Sequence, residues 1–276
     1  MFGIIVDTEF AWGFQARVVG LSKTTPSFYY PPPTTFLGAI AEAIARKSCL
    51  GEDKGKEIAI MLGEKVLALG IRPINCIPIK YSDINRIISI RILGELGLVP
   101  DPRDFTKSFD SPARGKTLMM SYDDNPPVLR WLLVLDDNKL SFNGKTFSLL
   151  DKKYFWAIHR LGSKESRVSV LNVGVVENIE ENFGMIVTKY SFPMVDGVTP
   201  EEQLQVRWMY EIYTDPRKLG YDKTENPLVS YMMGENLVTY SIPIKETGDP
   251  EFRIKVSKPA VAYKIGDEYV VGWEKQ

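Results

Sequence analysis

Apolar and polar positions alternate from the first residues of the chain. Phe2, Ile4, Val6, Thr8, Phe10, Trp12 and Phe14 share one side and Gly3, Asp7 and Glu9 the other. That period of two predicts a long strand with one buried face. The period changes after Tyr29-Tyr30-Pro31-Pro32-Pro33. Three prolines cannot continue a ladder or enter a helix interior, so they form a stiff extended approach. The hydroxyl of Thr34 or Thr35 is then placed to cap a helix to about Lys47, with Leu37, Ile40, Ala41 and Ile44 as its apolar stripe. Ile58, Met61, Leu62, Val66 and Leu69 lie at helical spacing and predict a second helix from about Asp53 to Leu69, closed by Gly70. Ile71 to Ile79 reads as an edge or irregular strand, because of Pro73 and Pro78.

Residues 80–127 break the pattern. Gly94, Gly97, Pro100, Pro102, Pro112, Gly115 and Pro126-Pro127 are mixed with scattered charge, and little core-forming periodicity follows Leu98. A loop or arm of this length is uncommon inside a compact domain and is usually functional or disordered. The fold resumes with the apolar strand Val128 to Leu135 and a turn at Asn143-Gly144. Arg160-Leu161-Gly162-Ser163-Lys164-Glu165-Ser166-Arg167 then runs into a strand from Val168 to Val173. The last hundred residues are mostly strand-like, over Ile186 to Phe192, Leu237 to Ile244, Phe252 to Val256 and a hairpin turning near Gly266-Asp267.

Composition narrows the function classes. With 34 Lys+Arg against 35 Asp+Glu and 44% hydrophobic residues, the 276-residue chain is globular and not a disordered tail. Its formal charge of −1 disfavours loose, sequence-blind nucleic-acid binding by the free chain. Two distant cysteines, Cys49 and Cys76, and a single histidine, His159, leave neither a disulfide framework nor a His- or Cys-rich metal cage. No cofactor is expected. The chain shows no targeting segment, and its longest apolar runs fall far short of the ~20 residues of a membrane span, so the cytoplasm is the expected compartment. Phosphate-cradling glycine loops, a dinucleotide fingerprint and a nucleophile elbow are all missing from the sequence.

Two local windows are cationic although the total is not. Between residues 11 and 35 the only charges are Arg17 and Lys23, set among Trp12, Phe14, Phe28, Tyr29 and Tyr30 and several hydroxyls. Cations and hydroxyls suit phosphates, and rings suit unstacked bases, so the segment fits a single-stranded nucleic acid. The alternative is that the rings are core and the two cations a solvated edge. In the second window Gly162 allows close backbone approach to an anion, with Arg160, Lys164 and Arg167 adding charge. An ordinary charged turn is the competing reading there, and a structural histidine the competing reading of His159.

Pro26-Ser27-Phe28-Tyr29-Tyr30-Pro31-Pro32-Pro33-Thr34-Thr35-Phe36-Leu37-Gly38-Ala39, after a strand ending in Trp12-Gly13-Phe14, resembles the amino terminus of the CRISPR-associated Cas five family. Arg160-Leu161-Gly162-Ser163-Lys164-Glu165-Ser166 is similar to that family's second landmark. The resemblance covers most of residues 1–176, and the Pro-Pro-Pro-Thr-Thr version looks most like the archaeal type I-A branch. It implies an α+β fold with a ferredoxin-like (RRM-type) core of the RAMP class over 1–176, an inserted thumb at about 80–127, and a β-rich part over 177–276 packed on it.

The resemblance also implies a subunit of a Cascade effector that holds the 5′ handle of the crRNA and caps the filament of backbone RAMP subunits. Large and small subunits would lie beside it and target DNA would be met indirectly, with no membrane involved. RNA contacts are then expected at Trp12, Arg17, Lys23, Tyr29, Tyr30 and Thr34 and at Arg160, Gly162, Ser163, Lys164 and Arg167. In the thumb, Arg91, Arg103, Lys107, Arg114 and Lys116 are expected to meet RNA or a neighbouring subunit. Some relatives in another subtype cut repeat RNA with Tyr, Lys and His. His159 and Lys164 would serve here, but no His-Tyr-Lys cluster is visible, and a non-catalytic role is expected. A protein-interaction module without RNA contact is the third reading.

Overall fold

The amino-terminal alternation forms β1 (Phe2–Phe10), followed by the two-residue β2 (Gly13–Phe14). The computed structural model describes the whole chain apart from residues 17, 19–25, 85–90, 93–97, 100–112, 202–208, 221–230, 232, 245–250 and 276. Phe2, Ile4, Val6, Thr8, Phe10 and Phe14 are buried as their spacing predicts. Trp12 departs from the series: the strand breaks at Ala11 and Trp12, and the indole lies half-buried at the rim.

Helix α1 (Pro33–Lys47) and helix α2 (Gly55–Gly63) follow. The cap of α1 is Pro32, with Pro33 inside the first turn and no side-chain cap, so Thr34 and Thr35 are helical residues and not the N-cap. The second helix is shorter than its periodicity predicts. It stops at Gly63, which lies against the Pro216 carbonyl, and Val66 to Leu69 belong to β3 (Val66–Pro73). Every residue from Val66 to Ile71 is buried because β3 is covered on both faces. A segment buried on both sides loses the alternation that marks a half-buried strand, and its run of apolar residues also matches a helix. Gly70 is accordingly no helix terminus. An added Cβ there would lie 2.7 Å from the Ser191 carbonyl oxygen and 2.9 Å from Tyr190 Cβ.

One seven-stranded sheet organises the molecule. Its order is Val168–Val176, β1, Val128–Leu135, β3, Glu268–Trp273, Ala260–Ile265, Glu180–Asn182, and every pairing is antiparallel. Among the first four, the chain's fourth strand lies beside its first, then its third, then its second. Helices α1 and α2 connect the first to the second, and the short helix Lys153–Trp156 lies between the third and fourth. α1 covers one face, where Phe36 stacks on Trp131 at 4.3 Å between ring centroids and Trp131 Nε1 donates to Thr8 Oγ1 at 2.9 Å.

The opposite face is covered as well, which corrects the expectation of a single buried face. Leu132, Val134, Ala68, Tyr190, Val261 and Val270 form a second apolar layer there. Asp7, on the side expected to be polar, is buried and accepts from Arg130 Nε at 2.7 Å and Arg130 Nη2 at 2.9 Å. Glu268 pairs with Arg72 and accepts from the Tyr190 hydroxyl at 2.7 Å, continuing the polar network across the strands.

Out of the segment following β3 rises a long antiparallel pair, β4 (Cys76–Ile84) with Ala113–Ser121, in continuous register from Cys76↔Ser121 to Ile84↔Ala113. β2 joins its side through Gly13↔Leu118 and Phe14↔Thr117. One face packs on the core through Cys76, Thr117 and Met119, and burial pushes the Cys76 thiol up to about 12. Two further pairs match turns read from the sequence: Lys139–Phe142 with Lys145–Ser148 about Asn143-Gly144, and Ala260–Ile265 with Glu268–Trp273 about Gly266-Asp267.

A candidate nucleic-acid interface

The two cationic windows of the sequence are in contact. Where β1 ends, the Ala11 amide donates to the Arg167 carbonyl at 3.2 Å and the Trp12 indole to the Glu165 carbonyl at 2.8 Å. Gln15 is held twice: its amide donates to Ser166 Oγ at 3.0 Å and its carbonyl accepts from the Ser163 amide at 3.1 Å. The 160–167 loop is itself closed by the Arg160↔Arg167 bridge, by Leu161 N–H to Ser166 O at 3.0 Å and by Ser166 N–H to Ser163 O at 3.0 Å. Leu161 and Ser166 are buried and anchor the loop, whereas Arg160, Lys164 and Arg167 are exposed. Apolar anchoring beneath and exposed cations above make a rigid basic rim.

Gly162 is required at this junction. Its φ is +114°, and an added Cβ would lie 2.7 Å from the Gln15 carbonyl oxygen. Gly162→Ala therefore combines backbone strain, about 1–3 kcal/mol, with displacement of the Ser163–Gln15 hydrogen bond. The expected result is an unfolding free energy lowered by at least that amount, read as a lower urea midpoint at unchanged slope, while Gly144→Ala, at φ +73° with a Cβ that meets nothing within 4 Å, carries the strain alone.

The approach to α1 is fixed by a residue that sequence reasoning missed. Glu211 on the strand Met209–Thr214 is buried and accepts from the amides of Tyr29 (2.7 Å) and Tyr30 (3.5 Å), the Tyr213 hydroxyl (2.6 Å) and Lys80 Nζ (2.9 Å). In Met209-Tyr210-Glu211-Ile212-Tyr213 the inward parity carries the acid, and Tyr210 and Ile212 face out. No hydropathy pattern marks such an inversion.

Tyr30 is fully buried, its hydroxyl donates to the Pro243 carbonyl at 2.5 Å, and burial holds its pKa well above the ordinary value. It is a core residue and offers no face to a base, a correction to its expected RNA contact. Tyr29 is half-buried, with Lys80 Nζ 3.6 Å from its ring centroid.

Between the first turns of α1 and the basic loop lies a cleft of about 410 Å³, lined by Thr35, Gly38, Ala39 and Glu42 of α1 and by His159, Arg160 and Gly162. Both landmark segments of the sequence contribute to it. Arg46 accompanies Glu42 on the same helix: its Nε donates to Glu42 Oε1 at 3.1 Å and its Nη2 to the Ala157 carbonyl at 2.7 Å. The same Nη2 is 3.3 Å from His159 Nδ1. A guanidinium can only donate, so this contact is a hydrogen bond when Nδ1 is the unprotonated ring nitrogen.

Other expected site residues are distributed as follows. Thr34 is half-buried in the first turn of α1, and Ser163 Oγ lies 3.1 Å from Ser166 Oγ. Lys116 is half-buried on Ala113–Ser121, and the backbones of Arg91 and Arg114 lie on the strands Arg91–Ile92 and Ala113–Ser121. Arg17, Lys23, Arg103 and Lys107 lie outside the described residues. Neither Lys164 nor a tyrosine is among the described residues lining the cleft with His159. No group of His, Cys, Asp and Glu among the described residues could hold a metal ion, and no described helix is long and apolar enough to cross a membrane.

No protein-family model matches the chain. Among curated proteins it is 24% identical over 293 residues to "CRISPR-associated protein Cas5 2" of Saccharolobus solfataricus, covering 100% of this chain and 97% of that one. It is 27% identical over 268 residues to "CRISPR system aCascade subunit Cas5 1" of the same organism, covering 94% and 95%. Among solved structures it resembles a CRISPR protein from Archaeoglobus fulgidus, with a TM-score of 0.70, 42% identity, and coverage of 99% of this chain and 100% of that one.

Proposed function

Because the chain belongs to the Cas5 family of CRISPR-associated proteins, we propose that it is a non-catalytic subunit of a type I-A Cascade effector that grips the 5′ handle of the crRNA. One observation carries the reading: the aromatic amino-terminal landmark and the Gly162 loop, far apart in sequence, are hydrogen-bonded into one cleft with an exposed cationic rim. Phosphates meet Arg160, Lys164 and Arg167 there, and Trp12, hydrogen-bonded to Glu165 of the loop, borders the path.

In this reading the four strands in fourth-first-third-second order are the ferredoxin-like RAMP core, the β4 pair is the base of the thumb, and 177–276 extends the core sheet. The thumb meets the adjacent backbone subunit, so the chain caps the filament. The large and small subunits lie beside it, target DNA is met through them, and the cytoplasm is the place of assembly. A neutral chain that grips a short RNA segment locally also fits a role completed by partners.

The non-catalytic part is supported by the surroundings of His159, whose Nδ1 faces the Arg46 guanidinium and whose cleft brings it no tyrosine or lysine among the described residues. RNA cleavage by an internal 2′-hydroxyl needs a base, an acid and a cation at one phosphate. Incubation of the purified chain with repeat RNA, and with the same RNA carrying a 2′-deoxy nucleotide at the handle boundary, is expected to leave both intact. Specific cleavage of the first alone, abolished in His159→Ala, would overturn it.

A further inference from the structure

The cleft beside the basic rim is built for something other than a phosphate. Glu42 lines it, and a carboxylate repels an anion. Arg46 Nε holds Oε1 at 3.1 Å, which fixes the carboxylate on the helix. Oε2 lies 3.8 Å from His159 Nδ1, beyond hydrogen-bond distance. A carboxylate can accept about four hydrogen bonds, so Glu42 presents unused acceptor capacity to the cleft.

The floor of the cleft is bare helix. Gly38 has no side chain, an added Cβ there would meet nothing within 4 Å, and Ala39 adds only a methyl group. A flat ring therefore fits between α1 and the loop, with Arg160 and His159 on the rim as donors. We propose that this cleft is a guanine-reading pocket, in which Glu42 accepts from the N1–H and N2–H of one unstacked guanine while His159 donates to its O6. This deepens the RNA-clamp reading and rests on it.

Base chemistry selects guanine. On the Watson–Crick edge of a single-stranded nucleotide, only guanine presents two adjacent donors beside an acceptor. Adenine and cytosine present one amino group next to a ring acceptor, which a carboxylate repels. Uracil has one donor flanked by two carbonyls. A good bidentate contact discriminates by about tenfold or more against the wrong base. Phosphate binding at Arg160, Lys164 and Arg167 carries no such information. Glu42 is thus a specificity residue, distinct in role from the cationic rim.

Equilibrium binding of the full chain tests this with a fixed probe set: octauridylate, eight octamers with one guanosine moved through the positions, and the matching inosine octamers, which lack the N2 amino group. One guanosine position is expected to bind about tenfold tighter than octauridylate, its inosine partner, which keeps N1–H and O6, to lose most of that gain, and Glu42→Gln to bind all probes alike. Gly38→Leu, which fills the floor, is expected to remove the preference in the same way while octauridylate binding persists. Octauridylate bound by wild type with no guanosine preference, or a preference that survives both variants, overturns the pocket. No binding of any RNA by the wild-type chain, alone or in the assembled complex, overturns the RNA-clamp reading itself and the pocket with it.

Discussion

Replacing Glu211 with alanine is expected to lower the unfolding free energy by about 3–4 kcal/mol, among the largest effects of any single polar substitution in this chain. The carboxylate is 7% exposed and answers four donors on three separate segments. Its removal strands two backbone amides, the Tyr213 hydroxyl and the Lys80 ammonium. Buried groups left without partners cost about 1–3 kcal/mol each, and more when charged. Lys80 keeps a side-chain exposure of 30% and regains hydration, and the Tyr30 amide is held only at 3.5 Å, so the total stays at or just below the bottom of the additive range. Urea unfolding followed by tryptophan fluorescence is expected to show a shifted midpoint with an unchanged slope. Glu201→Ala, at an exposed position, is expected to stay within about 0.5 kcal/mol of wild type. Because Glu211 ties Tyr29 and Tyr30 to the carboxy-terminal strands, the same substitution is expected to loosen the approach to α1 and to weaken the proposed RNA binding.

The second large effect concerns the rim. Arg160→Ala, Lys164→Ala and Arg167→Ala together are expected to flatten the salt dependence of handle-RNA binding by about 2 in log–log slope, at ~0.7 per phosphate neutralised on a single strand. Affinity at low salt falls by at least about tenfold, and stability changes little, because all three side chains are exposed and the Arg160↔Arg167 bridge is made by backbone. Measurement of binding across a series of salt concentrations separates the two readings of this loop. An unchanged slope would assign the cations to an ordinary solvated turn.

Much of the fold was legible where one face of an element is buried and the other is not. The alternation of Phe2 to Phe10 and the spacing of Leu37, Ile40, Ala41 and Ile44 each produced the expected element. Val128 to Leu135 and Phe252 to Val256 were read at the bounds the structure gives. Reading failed where burial is two-sided or inverted. Val66 to Leu69 became strand because both of its faces are covered, and Asp7 was placed on the solvent side because the layer above it comes from residues beyond 177. Tertiary contacts of that separation leave no local period.

The site was legible as residue types but not as an arrangement. The two basic windows were each visible, and Gly162 was read as allowing close backbone approach to an anion, whereas the close approach in the structure is to the Gln15 carbonyl. That the windows touch, that Tyr30 is core, and that Glu42, Arg46 and Glu211 organise the surroundings all depend on pairings between distant strands and loops. The near-neutral total charge also acquires a structural meaning. Acids such as Glu42 and Glu211 do not merely cancel the cations, since one lines the cleft and the other holds its approach.

The most direct test of the account is ultraviolet crosslinking of the assembled effector, purified with its own RNA, followed by mapping of crosslinked peptides and nucleotides on this subunit. The predicted result is crosslinks from handle nucleotides to Trp12 and to the 159–167 loop. Crosslinks confined to other subunits, with this chain protected from none of the reagents that attack its exposed loop, would contradict it.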